Sequence, residues 1–215
     1  MKKIVPLFII IICTLFQVPA LAEQARQLSW TDLVPTKLLA DDSLANLTPD
    51  QQELVISVVN MLRSLPKQVK QTEEFYKEID KSVPSLRKAG VDIVKLMAKI
   101  KEIQTSVVEE LNGQRVRIPG YLLPLEMSGT KVTEFLLVPY VGACIHVPPP
   151  PPNQIILVKI AAGEGYDSKK LYEPVWVTGV ISVQSMVKDL FLVDGKAGID
   201  IGYSMQANRI EPYKE

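Results

Sequence analysis

Residues 173–183 read Glu-Pro-Val-Trp-Val-Thr-Gly-Val-Ile-Ser-Val, and the fold prediction for the second half of the chain starts from this pattern. From Val175 to Val183, every second position is apolar or is glycine, so these positions share one face of a β-strand. Strand-like runs lie on both sides of it, and most of them have no helical pattern between them. The stretch therefore predicts one strand of a largely antiparallel β domain.

The neighbouring strands are separated by turn signals. Asn112-Gly113 and the Ser-Gly-Thr-Lys sequence at 128–131 predict turns. Pro119-Gly120 is expected to interrupt the first strand. Besides the run at Val175, the predicted strands are 115–118, 132–138, 154–160, 190–193 and 199–205.

Five or six such strands predict a small antiparallel barrel. We prefer an OB-like barrel, in which five curved strands close with bulges at glycine and proline. Gly120, Gly179 and Gly202 are the candidate bulges. A small open sandwich is the alternative.

The segment before the β half has helical patterning, so the fold class is predicted to be α+β. Thr48, Pro49 and Gln51 form a capping signature, with a hydroxyl, a first-turn proline and a glutamine three residues after the cap. A second amphipathic pattern, between Ile93 and Leu111, predicts a helix that packs on its neighbours and on the β half. A coiled coil or a membrane-surface helix is the alternative.

Residues 1–22 have the organisation of a Sec-type signal peptide. Lys2 and Lys3 precede an apolar run from Ile4 to Phe16, and Ala20-Leu21-Ala22 fits the small-x-small cleavage rule. We expect cleavage after this triplet and export to the periplasm, with a retained membrane anchor as the alternative. The predicted organisation is therefore 1–22 signal peptide, 23–110 N-terminal motif and helical segment, and 111–215 OB-like β domain.

Composition excludes several classes of protein. Hydrophobic residues make up 47% of the 215 residues and charged residues 22%, which is enough apolar surface to build a core. The formal net charge of zero argues against a protein that binds duplex nucleic acid. No second run of about eighteen apolar residues exists, so we expect no integral membrane protein after cleavage.

One short segment carries the residues suited to chemistry. Residues 139–154 read Pro-Tyr-Val-Gly-Ala-Cys-Ile-His-Val-Pro-Pro-Pro-Pro-Pro-Asn-Gln. Cys144 is the only cysteine after residue 22, and His146 is the only histidine of the chain. Five consecutive prolines form an extended strut of about 15 Å, at roughly 3.1 Å per residue, beside this pair.

Cys144 and His146 are candidate metal ligands. Thiolate and imidazole are good ligands for zinc and copper, and residues two apart on an extended segment share a face. Zinc is the favoured metal, although a closed site needs four ligands. The others would come from Glu126, Met205, water, or a second Cys-His pair in a homodimer. In the other interpretation Cys144 is a small buried residue and His146 bonds a loop carbonyl.

Enzymatic chemistry is less well supported than binding. Nothing in the sequence indicates an oxyanion hole beside Cys144, and no resolving cysteine remains for a redox cycle. Docking of a partner through the proline strut is a further alternative. Trp30, in the motif Trp-Thr-Asp-Leu-Val-Pro, pins the N-terminal segment to the core or contacts a partner. The candidate partner-binding residues are Trp30, Tyr140, Pro148, Pro149, Pro150, Pro151, Pro152, Asn153 and Gln154.

The chain resembles an exported bacterial family catalogued as domain of unknown function 3299. The Gly-Ala-Cys-Ile-His-Val run with its prolines is the most specific part of this resemblance. The resemblance covers roughly 111–213 together with the N-terminal motif. The other stretches that carry it are 118–126, 134–140, 174–179 and 30–35.

This resemblance implies an exported protein with no assigned enzyme activity. Such proteins are similar to components encoded beside lipoprotein-release-type transporters and zinc-responsive genes, which favours metal handling. We therefore expect a periplasmic, non-enzymatic accessory protein that binds or delivers zinc through the Cys144-x-His146 loop. The alternative is an interaction adaptor of an envelope transport system that uses the same loop.

Overall fold

A computed structural model of the protein describes residues 24–35, 47–63, 72–88, 90–144, 149–161, 163–192 and 195–213. The predicted signal peptide, His146 and Pro148 lie outside these described residues. The fold is α+β and its main element is a six-stranded sheet. The strands are β1 (Arg26–Gln27), β2 (Arg115–Ser128), β3 (Lys131–Val138), β4 (Ile156–Ile160), β5 (Glu173–Leu192) and β6 (Gly195–Pro212).

The strand order is β1-β2-β3-β4-β6-β5, and β2 also pairs with β5. Most neighbouring strands are antiparallel, whereas β4 and β6 are parallel. The two-residue β1 adds in parallel to β2 and was not predicted. Its sequence, Arg-Gln, carries no alternation from which a strand could be recognised.

Two predicted breaks between strands were wrong. Pro119-Gly120 does not interrupt β2, which pairs with β5 without a break from Arg115 to Leu122. Residues 190–192 do not form a strand of their own, because they continue β5 in its pairing with β6. Both errors have the same cause, since a strand's length is set by its partner strand and not only by its own pattern.

The glycines of the ladder have different roles. The pairing of β5 with β6 shifts register between Thr178 and Gly179, so the predicted irregularity at Gly179 is confirmed. A Cβ atom there would lie 2.3 Å from the Gln206 carbonyl oxygen. Gly120 is at no register shift. It is needed instead for close packing, because an added Cβ would lie 2.9 Å from the Trp30 ring.

Helices precede most of the sheet in the described part of the chain, and the capping signature is confirmed at the first of them. The Thr48 N–H donates to the Gln51 side chain, and the Gln51 N–H lies 3.4 Å from the Thr48 hydroxyl. An aspartate side chain, that of Asp92, caps the last helix by accepting from the Lys95 N–H. The helices are α1 (Pro49–Arg63), α2 (Glu73–Ser82), α3 (Pro84–Lys88) and α4 (Ile93–Thr105).

The apolar stripe of α4 packs in two places. Ile93 and Met97 are buried in a cluster formed with the other helices, and Leu96 lies against that cluster. Val107, just after α4, packs instead on the core of the sheet. Helix-to-helix packing therefore takes up most of the stripe, and only its end reaches the strands.

The sheet has apolar residues on both faces. On one face Leu122, Phe135 and Leu137 belong to the largest core cluster. On the opposite face Leu123 and Leu136 belong to a second cluster. Both faces of β2 and β3 are therefore covered, which requires a second layer of structure.

The second layer is the far end of the β5–β6 hairpin, residues 186–192 and 195–201, which we call the arm. A register shift between Val183 and Met186 separates the arm from the rest of the hairpin. The arm contributes Leu190, Ile199 and Ile201 to the second cluster. The arm thus continues strands β5 and β6 and packs against one face of strands β2 and β3.

One tyrosine of β6 helps to fix the N-terminal segment to the core. The Tyr203 hydroxyl donates to the Leu33 carbonyl at 2.8 Å and accepts from the Val108 N–H at 2.7 Å. Leu33 and Tyr203 are fully buried. Within the described residues, none of the helices has the length and apolar character needed to cross a membrane.

Candidate functional site

The candidate site begins where β3 ends, at a sharp turn. Gly142 has φ of 84° and Cys144 has φ of 69°. A positive φ costs glycine little, but a residue with a side chain adopts it only where the surroundings impose it. The turn therefore carries backbone strain at the predicted ligand Cys144.

The Cys144 side chain lies inside the protein. It is 3% exposed and belongs to the second apolar cluster, together with Ala143 and Tyr172. The Tyr172 hydroxyl donates to the Ala143 carbonyl oxygen. Burial, and then the nearby Cys144, raise the pKa of Tyr172 to about 12. The tyrosine hydroxyl thus stays protonated and holds the turn at its base.

Tyr172 was not among the predicted site residues. It lies 28 positions after Cys144, in a segment that has no strand or helix pattern. Its own φ is positive, at 56°, and its N–H donates to the Leu122 carbonyl at 3.1 Å. No local sequence signal points to it, because its partners are distant in the chain.

Large apolar side chains are exposed around this turn. Tyr140 is 40% exposed and Val141 is 59% exposed at its tip. Leu171, 53% exposed, precedes the tyrosine that holds the turn. We call Tyr140, Val141 and Leu171 the apolar rim. Singly exposed apolar residues are common on proteins, but these three lie on the two segments that the hydrogen bond between Tyr172 and Ala143 joins.

The other end of the proline strut is anchored by two amides. The Asn153 side chain is 1% exposed and donates to the carbonyls of Ile103 and Ser106 at 2.6 and 2.8 Å. The Gln154 side chain donates to the Trp30 carbonyl at 2.8 Å. Both amides are therefore directed to partners within the chain, at the end of α4 and at the N-terminal motif.

The described prolines lie partly inside the protein. Pro150 is buried, and Pro149, Pro151 and Pro152 are partly buried. Pro152 begins a short 3-10 helix that ends at Gln154 and leads into β4. A proline suits this first position because the missing N–H needs no helical partner there.

Trp30 is part of the core rather than of the apolar rim. Its indole N–H donates to the Pro119 carbonyl at 2.9 Å, and its ring packs on the largest core cluster. Ser29 and Asp32 form a reciprocal cap on the short 3-10 helix of this motif. The motif therefore fastens the N-terminal segment to β2.

The third predicted ligand, Glu126, is bound to a lysine. Its carboxylate lies 3.4 Å from the Lys188 ammonium, and its side chain is 62% exposed. Among the residues that the structure describes, there is no group of three or more His, Cys, Asp and Glu side chains placed to hold a metal ion. The structure thus brings Glu126 to the arm.

Comparison with known proteins gives a family match and a structural neighbour. No curated protein is significantly similar to the chain. A crystal structure of a DUF3299 family protein from Pseudomonas aeruginosa PAO1, at 2.45 Å resolution, is 30% identical, with a TM-score of 0.48. The match covers 89% of this chain and 97% of that chain. A family model described as protein of unknown function (DUF3299) matches residues 30–212, including the helices, and the chain therefore belongs to this family.

Proposed function

We propose that the protein is an exported, non-enzymatic adaptor of the cell envelope that docks a component of a transport system through its apolar rim. The exposure of Tyr140, Val141 and Leu171 on segments fastened from within carries this proposal. Export is supported by the signal-peptide pattern of residues 1–22, and the periplasm is the compartment that it predicts.

The anchoring of the loop suits a docking role. Tyr172 fastens the turn, while Asn153 and Gln154 fasten the far end of the strut. A loop held at both ends loses little conformational freedom when a partner binds, so more of the contact energy appears as affinity. Tyrosine is also among the residues that contribute most strongly to protein interfaces.

Site-specific photo-crosslinking in the native host tests the adaptor role. A photoreactive phenylalanine analogue is placed at Val141 or Leu171, and at Ile56 as the control. Ile56 is 60% exposed on α1, so exposure is matched while location differs. We expect one protein adduct of the same mass from both rim positions and none from Ile56. The absence of an adduct at both rim positions would contradict the proposal.

Zinc binding by Cys144 and His146 is the second candidate function. The positive φ of Cys144 favours it, because backbone strain of this kind is concentrated at functional sites. Further ligands would come from Glu126, if it leaves Lys188, from water, or from a second copy of the chain.

Zinc titration by calorimetry tests the second candidate. Cys144→Ser and His146→Ala should each abolish binding, and binding should weaken as pH falls because protons compete for both ligands. Light scattering with and without a chelator shows whether two chains share the metal. Tight binding that survives both substitutions would contradict the assignment.

We infer further that strands β2 to β6 form an OB-like barrel. The additional pairing of β2 with β5 supports this, because it joins the last strand of the order to an early one. The parallel pairing of β4 with β6 and the register shift at Gly179 also support it.

A further inference from the structure

One face of the sheet, which shares no residue with the apolar rim, carries an unusual set of side chains. It is formed by outward-facing positions of β2, β5 and β6. Strand β5 lies between β2 and β6, so Thr178 of β5 pairs with Arg117 on one side and with Arg209 on the other. Trp176 of β5 pairs with Glu211 of β6. We call this set the arginine face; its members are Arg115, Arg117, Trp176, Arg209, Glu211 and Tyr213.

The aromatic residues of the arginine face hold one guanidinium in place. The Arg117 guanidinium carbon lies 4.1 Å from the centre of the Trp176 ring. The Trp176 and Tyr213 rings are stacked, with centroids 5.6 Å apart and planes 22° apart. Stacking on an aromatic ring orients a guanidinium while leaving its N–H groups available for an anion.

Positive charge exceeds negative charge on this face. Glu211 contacts Arg209 at 2.9 Å and Arg117 at 3.6 Å, so one carboxylate serves two guanidiniums. Arg115 is exposed beside them. The three arginines thus face one carboxylate among the described ladder positions of this face, although the complete chain has a formal net charge of zero.

We propose that the arginine face docks an acidic polypeptide segment of a partner protein. Arg115, Arg117 and Arg209 would bind its carboxylates in two-point fashion, and Tyr213, 41% exposed, would contact its apolar side chains. Arginine, tryptophan and tyrosine are the residues most enriched at the energetic centres of protein interfaces.

A polypeptide fits this face better than a membrane or a nucleic acid. The face has no lysines at its ladder positions, and its arginines are held by a carboxylate and a ring. Anionic membranes select clusters of mobile basic residues, and nucleic acids select a basic excess over the domain. The arginine face shares no residue with the apolar rim, so this inference stands independently of the adaptor surface proposed above.

Fluorescence anisotropy with a labelled acidic peptide tests the proposal. The probe is a peptide of repeating Glu-Glu-Leu, its counterpart is Gln-Gln-Leu, and vesicles of phosphatidylglycerol and phosphatidylethanolamine provide the membrane comparison. The full chain is compared with the variant Arg115→Gln/Arg117→Gln/Arg209→Gln. The control variant Arg87→Gln/Lys88→Gln/Lys95→Gln removes the same charge from exposed positions of α3 and α4.

We expect the acidic peptide to bind, its glutamine counterpart not to bind, and the arginine variant to lose at least about tenfold in affinity while the control variant does not. If the triple variant unfolds, the single changes Arg115→Gln and Arg209→Gln, both at exposed positions, should each weaken binding several-fold. Equal weakening in the control variant, or no binding of the acidic peptide, overturns the proposal. Binding of the vesicles through these arginines in preference to the peptide also overturns it.

Discussion

Asn153 is a buried side chain that joins two separate parts of the fold. Its amide donates to two carbonyls near the end of α4, those of Ile103 and Ser106, from the end of the proline strut. The carbonyls at the end of a helix have no partner within that helix and must be satisfied from outside. Asn153 supplies hydrogen bonds there, and it joins the helical segment to the loop that enters β4.

Replacing Asn153 by alanine should therefore destabilise the protein. We expect Asn153→Ala to lower the free energy of unfolding by about 2 kcal/mol, because two carbonyl acceptors lose their donor in a buried place. Urea unfolding followed by circular dichroism measures this. Asn208→Ala is the matched control, because Asn208 is exposed on β6. Equal stability of the two variants would show that the amide does not fasten α4.

Tyr166 predicts how stability changes at alkaline pH. Burial, and then the hydrogen bond to Glu173, raise the pKa of Tyr166 from 10.0 to about 12 in the folded protein. A raised folded pKa stabilises the protein fully below the unfolded value and ceases to do so as pH rises past the folded value. Stability should therefore fall between about pH 10 and about pH 12.

Urea unfolding across this pH range measures the effect, with Tyr166→Phe and Tyr213→Phe compared with the unchanged chain. Tyr166→Phe should reduce the decrease in the free energy of unfolding per pH unit, because it removes one group that ionises on unfolding. Tyr213→Phe serves as the control, because it makes the same chemical change at an exposed side chain. If Tyr166→Phe keeps the full slope, the alkaline loss arises elsewhere.

At the scale of elements, a partly buried ion pair joins the arm to β3. The Lys188 ammonium of the arm contacts the Glu134 carboxylate of β3, whose side chain is 8% exposed. Lys159 of β4 lies 3.5 Å from the other carboxylate oxygen. These contacts lie beside the second apolar cluster, where the arm covers the sheet. The pair therefore adds a polar contact to the apolar packing of the arm on the sheet.

Lys188→Met should loosen the arm. It leaves a buried carboxylate with one weaker partner, and we expect a loss of about 1–2 kcal/mol, since Lys188 is still 32% exposed. The thiol of Cys144, in the same cluster, should then react faster with a thiol reagent. Chemical unfolding and thiol-labelling rates measure the two effects.

A double substitution separates charge from packing at this pair. Glu134→Leu combined with Lys188→Met removes both charges and should recover most of the lost stability. Lys95→Met is the control, because Lys95 is 86% exposed in its pair with Asp92, and it should cost less than about 0.5 kcal/mol. Unchanged labelling of Cys144 in Lys188→Met would show that the arm does not depend on the pair.

Elements with a local cause could be predicted from the sequence, and those with a distant cause could not. The cap at Thr48 and the hairpin turn at Gly129 depend on residues within a few positions, and both are present. The sequence of the arm has an ordinary strand pattern, and this pattern does not predict which face of the sheet the arm will cover. That choice depends on the apolar residues of the covered face, such as Leu136 and Leu157, which are far away in the chain.

The candidate site shows the same division. The cysteine and prolines of the 139–154 loop were enough to predict it as the candidate site. The structure places Tyr140 at an exposed turn of this loop. Asn153 and Gln154 were predicted to contact a partner, yet their amides bond carbonyls at positions 103, 106 and 30. Local composition cannot reveal such partners, because they become neighbours only when the sheet has formed.

At the scale of the whole molecule, export predicts a processed chain. The protein recovered from the periplasmic fraction should begin at Glu23, because Ala20 and Ala22 satisfy the cleavage rule. Intact-mass spectrometry measures this. An Ala22→Lys variant is the control, and it should accumulate with its first residues retained. If the protein without this substitution still begins at Met1, the result would contradict export by this signal.

The bonds of Tyr203 have a consequence for the order in which the protein folds. This one hydroxyl joins positions 33, 108 and 203, and the strand that carries it is the last described strand along the chain. A polypeptide that emerges with its N-terminus first therefore lacks its closing contact until almost the whole chain has arrived. Contacts across such long separations form slowly, and so an incomplete chain stays open. If the chain is exported unfolded, as we propose, this delay keeps it in a form that can still pass through a narrow channel.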